Sequence, residues 1–501
     1  METFVLLMHG FETALTGWNL IYCLIGVSIG MFVGVLPGLG PVAGTALLIP
    51  MTFGMEPVSA IIMLAGIFYG SMYGGTITSV LINTPGEAAS VVTCIDGHQL
   101  AKQGRAGVAL GVSAIGSFIG GIVAVLGLTF LGPPLSEFAL KFGPPEFFSI
   151  MILGLLMLVA LMGKSLVKGL IAAVLGLLLS LIGMDSQSGA IRFTFGQNEL
   201  LDGLDFTIIA MGLFAFSEIL MNMENQTKPV IPEKIQGLFP KREEWNPTMR
   251  SIGRGTGIGM VLGLIPGANA VIASLLSYSL EKRIAKDPNR FGRGAVEGVA
   301  GPETANNAHS GASLIPLFTL GIPSSPTVAV ILGAFIMHGL TPGPALFQNN
   351  PDFVWAVIAS MFVGNFILLI FNLPLAGMWA KIALIPEKLL YPLILLLILV
   401  GTYSTNNSLW DVGMTIAFGV VGYFMKKLDI PIAAVVLTFV LGSQIESSLV
   451  QSLATSEDGM LILFERPLSG FLIMTSIIIL IGSIFSVIKK KRSFLASDVE
   501  M

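Results

Sequence analysis

The chain alternates long apolar stretches with short clusters of glycine, proline and small polar residues. Apolar runs cover 148–161, 166–182, 353–373, 389–400 and 470–488. Several approach the roughly 20 residues that a bilayer-spanning helix needs, and the whole pattern predicts about ten to twelve spans. A helix satisfies its own backbone hydrogen bonds inside lipid. The expected fold is therefore an all-α, polytopic membrane protein.

The interruptions are more informative than the runs. GVLPGLGPVAG (34–44) places two prolines and several glycines where a span would be expected to continue. The same arrangement returns later. Gly26, Gly30, Gly34, Pro37 and Gly38 recur as Gly255, Gly259, Gly263, Pro266 and Gly267, all at an offset of 229 residues. Small residues at i, i+4 and i+8 let neighbouring helices approach closely, and in both copies a Pro-Gly break follows. A second break lies downstream in each half: GGTITSVLINTPGEAAS (74–90) and HSGASLIPLFTLGIPSSPT (309–327). The second pair aligns only with a small gap. These matches predict a duplication with boundaries at 1–227 and 255–488, a basic linker at 228–254 and a tail at 489–501.

Charge adds direction. The first 101 residues contain neither Lys nor Arg. Basic residues gather in three segments: Lys228, Lys234, Lys241, Arg242, Arg250 and Arg254; then Lys282, Arg283, Lys286, Arg290 and Arg293; then 489–492. The positive-inside rule puts all three in the cytoplasm. The N-terminus and the 51–57 turn, which match the first two segments, have no basic residue. Lys102 and Arg105 follow the second break of the first half, whereas the matching HGLTPGP (338–344) is uncharged apart from its histidine. Opposite bias in matched loops predicts inverted repeats, a feature of secondary transporters. The C-terminus is then cytoplasmic and the N-terminus periplasmic. Residues 255–280 lie between two cytoplasmic segments, so the break at Pro266-Gly267 reads as the tip of a re-entrant helical hairpin. One kinked span with a misplaced loop is the second choice.

A broken helix exposes backbone N–H and C=O groups, which lipid cannot satisfy. A half-helix N-terminus directs a positive dipole end at its surroundings and favours anions, whereas unwound carbonyls hold cations such as Na⁺. Four breaks in two related pairs therefore predict a binding site near the midplane. Glycine packing and simple proline kinks are the competing explanation for any single residue. In PETANNAHSG (302–311), Asn306, Asn307 and Ser310 offer donors for carboxylate oxygens or oxygens for a hard cation. Glu303 is the acidic candidate for a coupling ion, and an interfacial loop carboxylate is the alternative for it. Thr78 and Ser313 supply further oxygens beside the second breaks. FYGSMYGG (68–75) is a second candidate segment. His309 suits a proton relay or a structural hydrogen bond, Glu87 is ambiguous, and Asp96, His98, Lys102 and Arg105 read as a solvated loop.

Composition narrows the function classes. The 501 residues are 54% hydrophobic and 11% charged, with a net charge of -4 and a mean hydropathy of +0.85. Soluble domains carry about 25% charged residues. Two cysteines, Cys23 and Cys94, make no disulfide framework, and an N-terminus that opens with Glu2 and has no basic stretch is not expected to be a cleavable signal. Four histidines form no metal-ligand set. GRGTGIG (253–259) lacks the strand and spacing of a dinucleotide loop, and no nucleophile elbow is present. Neither an enzyme nor a nucleic-acid-binding protein is expected, and no cofactor beyond Na⁺ or H⁺ as a coupling ion.

GVLPGLGP, GLIPGAN, NTPGEAASV and GPETANNAHSGASLIPLFTLGIPSS together resemble the large membrane subunit of tripartite tricarboxylate transporters, over nearly the whole length. The resemblance implies a bacterial inner-membrane permease. Its partners would be a small membrane subunit and a periplasmic solute-binding protein. It would import citrate or related carboxylates on an ion gradient. Carried over residue by residue, it points to Pro37 and Gly38; to Asn83, Thr84, Pro85 and Gly86; to Pro266, Gly267 and Asn269; to Asn306 and Asn307; and to Pro323, Ser324 and Ser325. A passive organic-anion channel, or a stand-alone carrier of another small carboxylate, is the alternative. The mostly apolar spans at 148–182 and 353–400 are expected to form a scaffold around the motif-bearing core.

Overall fold

A computed structural model of the protein describes residues 2–36, 38–162, 165–185, 188–224, 235, 237–382 and 385–497. Pro37, Lys228 and Lys234 fall outside these. Helices dominate, and the only strands among the described residues are a two-residue antiparallel pair, Gly183–Met184 with Ile191–Arg192. Nine described helices are long and apolar enough to cross a membrane, fewer than the count expected from the sequence. Three further apolar helices, Gly40–Thr52, Leu166–Ser180 and Pro326–Met337, are shorter. Two of these three, Gly40–Thr52 and Pro326–Met337, are the halves that follow a break.

The glycine stripes explain how the interior closes. Gly26, Gly30 and Gly34 on helix Gly17–Val35 sit against the backbone of Met63, Ile67 and Ser71 on helix Pro57–Ile82. A Cβ at any of the three would land on a carbonyl oxygen. Gly255, Gly259 and Gly263 on helix Arg242–Gly263 meet Gly301, Ala305 and His309 on helix Glu297–Ala312 in the same way. In lipid there is no hydrophobic gain from helix association, so backbone-to-backbone packing at small residues has to supply it.

The order of elements also repeats. Each half runs through a glycine-striped helix, a break, a shorter helix, a fully buried helix and a second break. Gly38 and Gly267, at the first breaks, both take left-handed backbone, with φ of 86° and 84°. The second breaks correspond even more closely. Asn83 (φ 55°) and Gly321 (φ 72°), 238 positions apart, end their helices in the left-handed conformation. The Thr84 N–H donates to the Thr78 carbonyl at 3.4 Å, and the Ile322 N–H to the Pro316 carbonyl at 3.3 Å. Each bond reaches back six residues, one more than in a Schellman cap, and the two are made at equivalent positions.

Helices Arg242–Gly263 and Ala270–Ile284 form a hairpin. The Arg254 guanidinium donates from Nε and Nη2 to both Glu281 oxygens at 2.7 and 2.6 Å, so the open ends of the two arms lie side by side. Arg242, Arg250 and Arg254 are on this helix, which runs through the expected boundary at 254/255. Helix Pro467–Ser497 likewise continues past 489.

Helix Pro351–Asn372 departs from its expected scaffold role. It packs on Glu2–Ala14, Pro57–Ile82 and Ala106–Ala139, within the motif-bearing group. The helices bordering that group include Pro144–Met162, Phe206–Glu224, Glu387–Asn406, Leu409–Lys427 and Ile432–Ala454.

Candidate functional site

All four breaks border one cavity of about 690 Å³. Its wall includes Gly38 to Ala43, Pro85 to Ala89, Asn269 to Val271 and Ser325 to Thr327. Three of these segments open helices Gly40–Leu48, Ala270–Ile284 and Pro326–Met337, and the fourth leads through a 3₁₀ turn, Ala88–Ser90, into helix Val91–Lys102, so four helix N-termini converge on a single space. Each N-terminus carries about half a positive charge. Asn269 Oδ1 accepts from the Ile272 N–H at 3.0 Å and Ser325 Oγ from the Val328 N–H at 3.3 Å, fixing two of these starts. At the third, Glu87 Oε2 accepts from the Ala89 N–H at 2.6 Å.

The sequence-derived candidates divide into three groups. Gly38, Pro85, Gly86, Asn269 and Ser325 stand on the cavity wall. Asn306, Asn307, Ser310, Ser313 and Glu303 form a buried polar layer along helix Glu297–Ala312 and its end. Asn306 Nδ2 donates to Glu87 Oε1 at 3.0 Å, which links that layer to the wall. Asn307 Nδ2 donates to Ser117 Oγ at 2.8 Å, and the side-chain oxygens of both asparagines are left without a partner. The remaining candidates serve backbone geometry. Asn83 is exposed at its left-handed cap and, with Thr84, lies off the cavity wall. The Gly267 N–H donates to the Ser324 carbonyl at 3.0 Å, joining the two breaks of the second half. Ser324 Oγ donates to the Ser313 carbonyl at 2.9 Å and Thr78 Oγ1 to the Gly75 carbonyl at 3.4 Å.

Glu303 is 1% exposed on a buried helix, which removes the interfacial-loop reading. Its Oε2 accepts from Thr76 Oγ1 at 2.7 Å and its Oε1 from Thr93 Oγ1. One carboxylate thus joins the two halves through hydroxyl donors. His309 reaches the cavity, donates from Nε2 to the Ala268 carbonyl and leaves Nδ1 unpartnered.

Asp96 corrects a further expectation, because it is fully buried rather than solvated. Its Oδ1 accepts from the N–H groups of Gly292, Gly294 and Ala295 at 2.9, 2.7 and 2.8 Å, and its Oδ2 from the Tyr278 hydroxyl at 2.9 Å. It clamps the second basic segment onto the first half.

Other wall residues were not picked out from the sequence. Phe68 and Met72 come from FYGSMYGG, but Phe214, Glu218 and Lys426 come from helices without a motif, and Asp429 from the turn that follows Lys427. Lys426 Nζ pairs with Glu218 across two helices. The available signal was Glu218 itself, an ionisable group inside an apolar run, which is a functional hypothesis by default. The cavity also borders a six-residue π-helical stretch, Met211–Phe216, an irregularity common at functional sites. Among the described residues, no cluster of three or more His, Cys, Asp or Glu side chains could hold a metal.

Comparison with known proteins adds a family. Residues 20–437 match the tripartite tricarboxylate transporter TctA family. An Agrobacterium vitis protein, described as an uncharacterized 52.8 kDa protein in the TAR-I ttuC' 3' region, is 44% identical across 96% of each chain. A second from the same organism, described as an uncharacterized protein in the TAR-II ttuC' 3' region, is 42% identical over 47% of this chain and 97% of its own length. No solved structure matches the chain.

Proposed function

The chain belongs to the tripartite tricarboxylate transporter TctA family, and on that premise we propose that it is the large permease subunit of an ion-driven importer of citrate or related carboxylates. The small membrane subunit and the periplasmic binding protein are its partners, and the bacterial inner membrane is its location. It performs no covalent chemistry on its cargo.

The observation that carries this reading is the convergence of four helix N-termini on one cavity. A polycarboxylate needs concentrated positive potential without deep burial of many cationic side chains, and helix ends supply it. Lys426, already paired to Glu218, adds one movable cation. The buried carboxylate Glu303 with its threonine donors is the preferred coupling-ion position, because an ionisable group at membrane depth persists only when used or well paired. Inverted orientation of the two halves gives alternating access by movement of the motif-bearing group against the bordering helices.

The test uses a chain without native cysteines, carrying Ala88→Cys or Thr327→Cys on the cavity wall. Citrate with Na⁺ is expected to slow thiol labelling at both positions. If neither position is protected while uptake remains intact, the site is misplaced. In the same preparation, Glu303→Gln is expected to weaken the dependence of uptake on Na⁺ or pH. Unaltered ion dependence would move the coupling site elsewhere. Downhill flux with no ion stoichiometry would favour the channel alternative.

A further inference from the structure

A second cavity, of about 400 Å³, lies elsewhere in the fold. Its wall includes Phe206, Gly333, Ile336, Phe439, Val440 and Glu446. These residues sit on helices Phe206–Glu224, Pro326–Met337 and Ile432–Ala454, and all three helices also border the large cavity. The positions are ordered. Phe206 faces the small cavity and Glu218 the large one; Ile336 faces the small and Pro326 the large; Glu446 faces the small and Ile432 the large. Ten to fourteen residues separate each pair, about 15–21 Å along a helix axis. The two spaces therefore occupy opposite ends of the same three-helix wall.

Between them the three helices present buried apolar side chains. Ile209, Met211, Ile331 and Val436, from the intervening stretches, are fully buried. The Phe206 ring rests on the Cα of Gly333, where any Cβ would collide with it. This contact, in the wall of the small cavity, holds helix Pro326–Met337 against helix Phe206–Glu224 by packing alone.

The chemistry of the small cavity resembles that of the large one in one respect. Arg192 donates from Nη1 to Glu446 Oε1 at 2.6 Å and from Nη2 to Asp185 Oδ2 at 2.9 Å. Each cavity thus holds a cationic side chain paired to a carboxylate of another element. A substrate carboxylate can replace that partner without stranding the cation, and a guanidinium offers two parallel donors to it.

We infer that the small cavity is the second mouth of the translocation path, and that Arg192 is the residue there that exchanges Glu446 for a carboxylate of the substrate. This rests on the carboxylate-uptake reading above and deepens it.

The test is uptake kinetics in proteoliposomes that hold both membrane subunits, with citrate and the binding protein. Arg192→Gln is expected to raise KM at least roughly tenfold, the loss of one charge-assisted contact, with kcat little changed. Arg192→Lys should recover part of this. Glu446→Gln, which leaves the guanidinium with Asp185 as its one charged partner, should lower KM. If Arg192→Gln and Glu446→Gln raise KM alike, the ion pair is structural and the inference falls. In parallel, Ser443→Cys in the small-cavity wall should react with a membrane-impermeant thiol reagent only from the face opposite that reaching Ala88→Cys. Labelling of both from one face, or none at Ser443→Cys, overturns the second mouth. Substrate protection at Ala88→Cys stands or falls independently, so it separates failure of this inference from failure of the transport reading.

Discussion

At Gly30 the Cα lies against the Ile67 backbone, so a methyl group has nowhere to go unless two helices separate. Gly253 and Gly257, on the opposite face of their helix from the packed glycines, have open space around an added Cβ. Gly30→Ala should destabilise the protein by about 1–3 kcal/mol through overpacking. Gly253→Ala and Gly257→Ala should be neutral, or stabilising by up to ~1 kcal/mol through helix propensity. Thermal unfolding in one detergent, read side by side, checks the contrast. The periodic pattern GxxxGxxxG named the stripe from sequence, yet the sequence alone did not say which face of the neighbouring helix would meet it.

Among elements, the clamp at Asp96 is the most exposed to test. One carboxylate holds three backbone N–H groups of the 292–295 turn together with a tyrosine hydroxyl. Gln103 adds a bond to the Arg293 carbonyl at 2.7 Å. Asp96→Ala leaves buried donors unpaired, at about 1–3 kcal/mol each where water does not reach them. The expected outcome is faster tryptic cleavage at Lys286, Arg290 and Arg293, with Gln103→Ala showing a smaller effect. Sequence reading placed Asp96 in a solvated loop because its neighbours His98, Lys102 and Arg105 are polar. Its acceptors' partners lie nearly 200 residues away, where no local pattern reaches. The breaks were legible for the converse reason. Proline and glycine act on their own few residues, so helix ends at 35, 82, 263 and 320 leave a local signature. The gap between the second breaks became a constant offset only once the left-handed caps at Asn83 and Gly321 could be matched.

For the whole molecule, orientation makes a checkable statement. Glu146 pairs with Arg466, and Arg192 with Glu446, tying the turns at one end of the helices. Arg105 pairs with Glu244, tying the basic segments at the other. With the basic segments in the cytoplasm, alkaline phosphatase fused after Glu457 should be active and green fluorescent protein fused after Met501 should fluoresce. The reverse result would invert the orientation, and with it the side on which each cavity opens. Lys426, Glu218 and Phe214 reach the large cavity from helices outside the repeated motifs. No spacing in the sequence connects them to the breaks.

The sequence by itself determined an apolar helical chain, the places where its helices stop, and the small-residue faces on which they pack. Those properties depend on side chains acting over a turn or two of backbone. Only the tertiary structure decided that the four interruptions share one cavity, which cation stands in its wall, and that a second space lies at the far end of the same helices. Such outcomes depend on which distant surfaces meet, and no short-range periodicity encodes that.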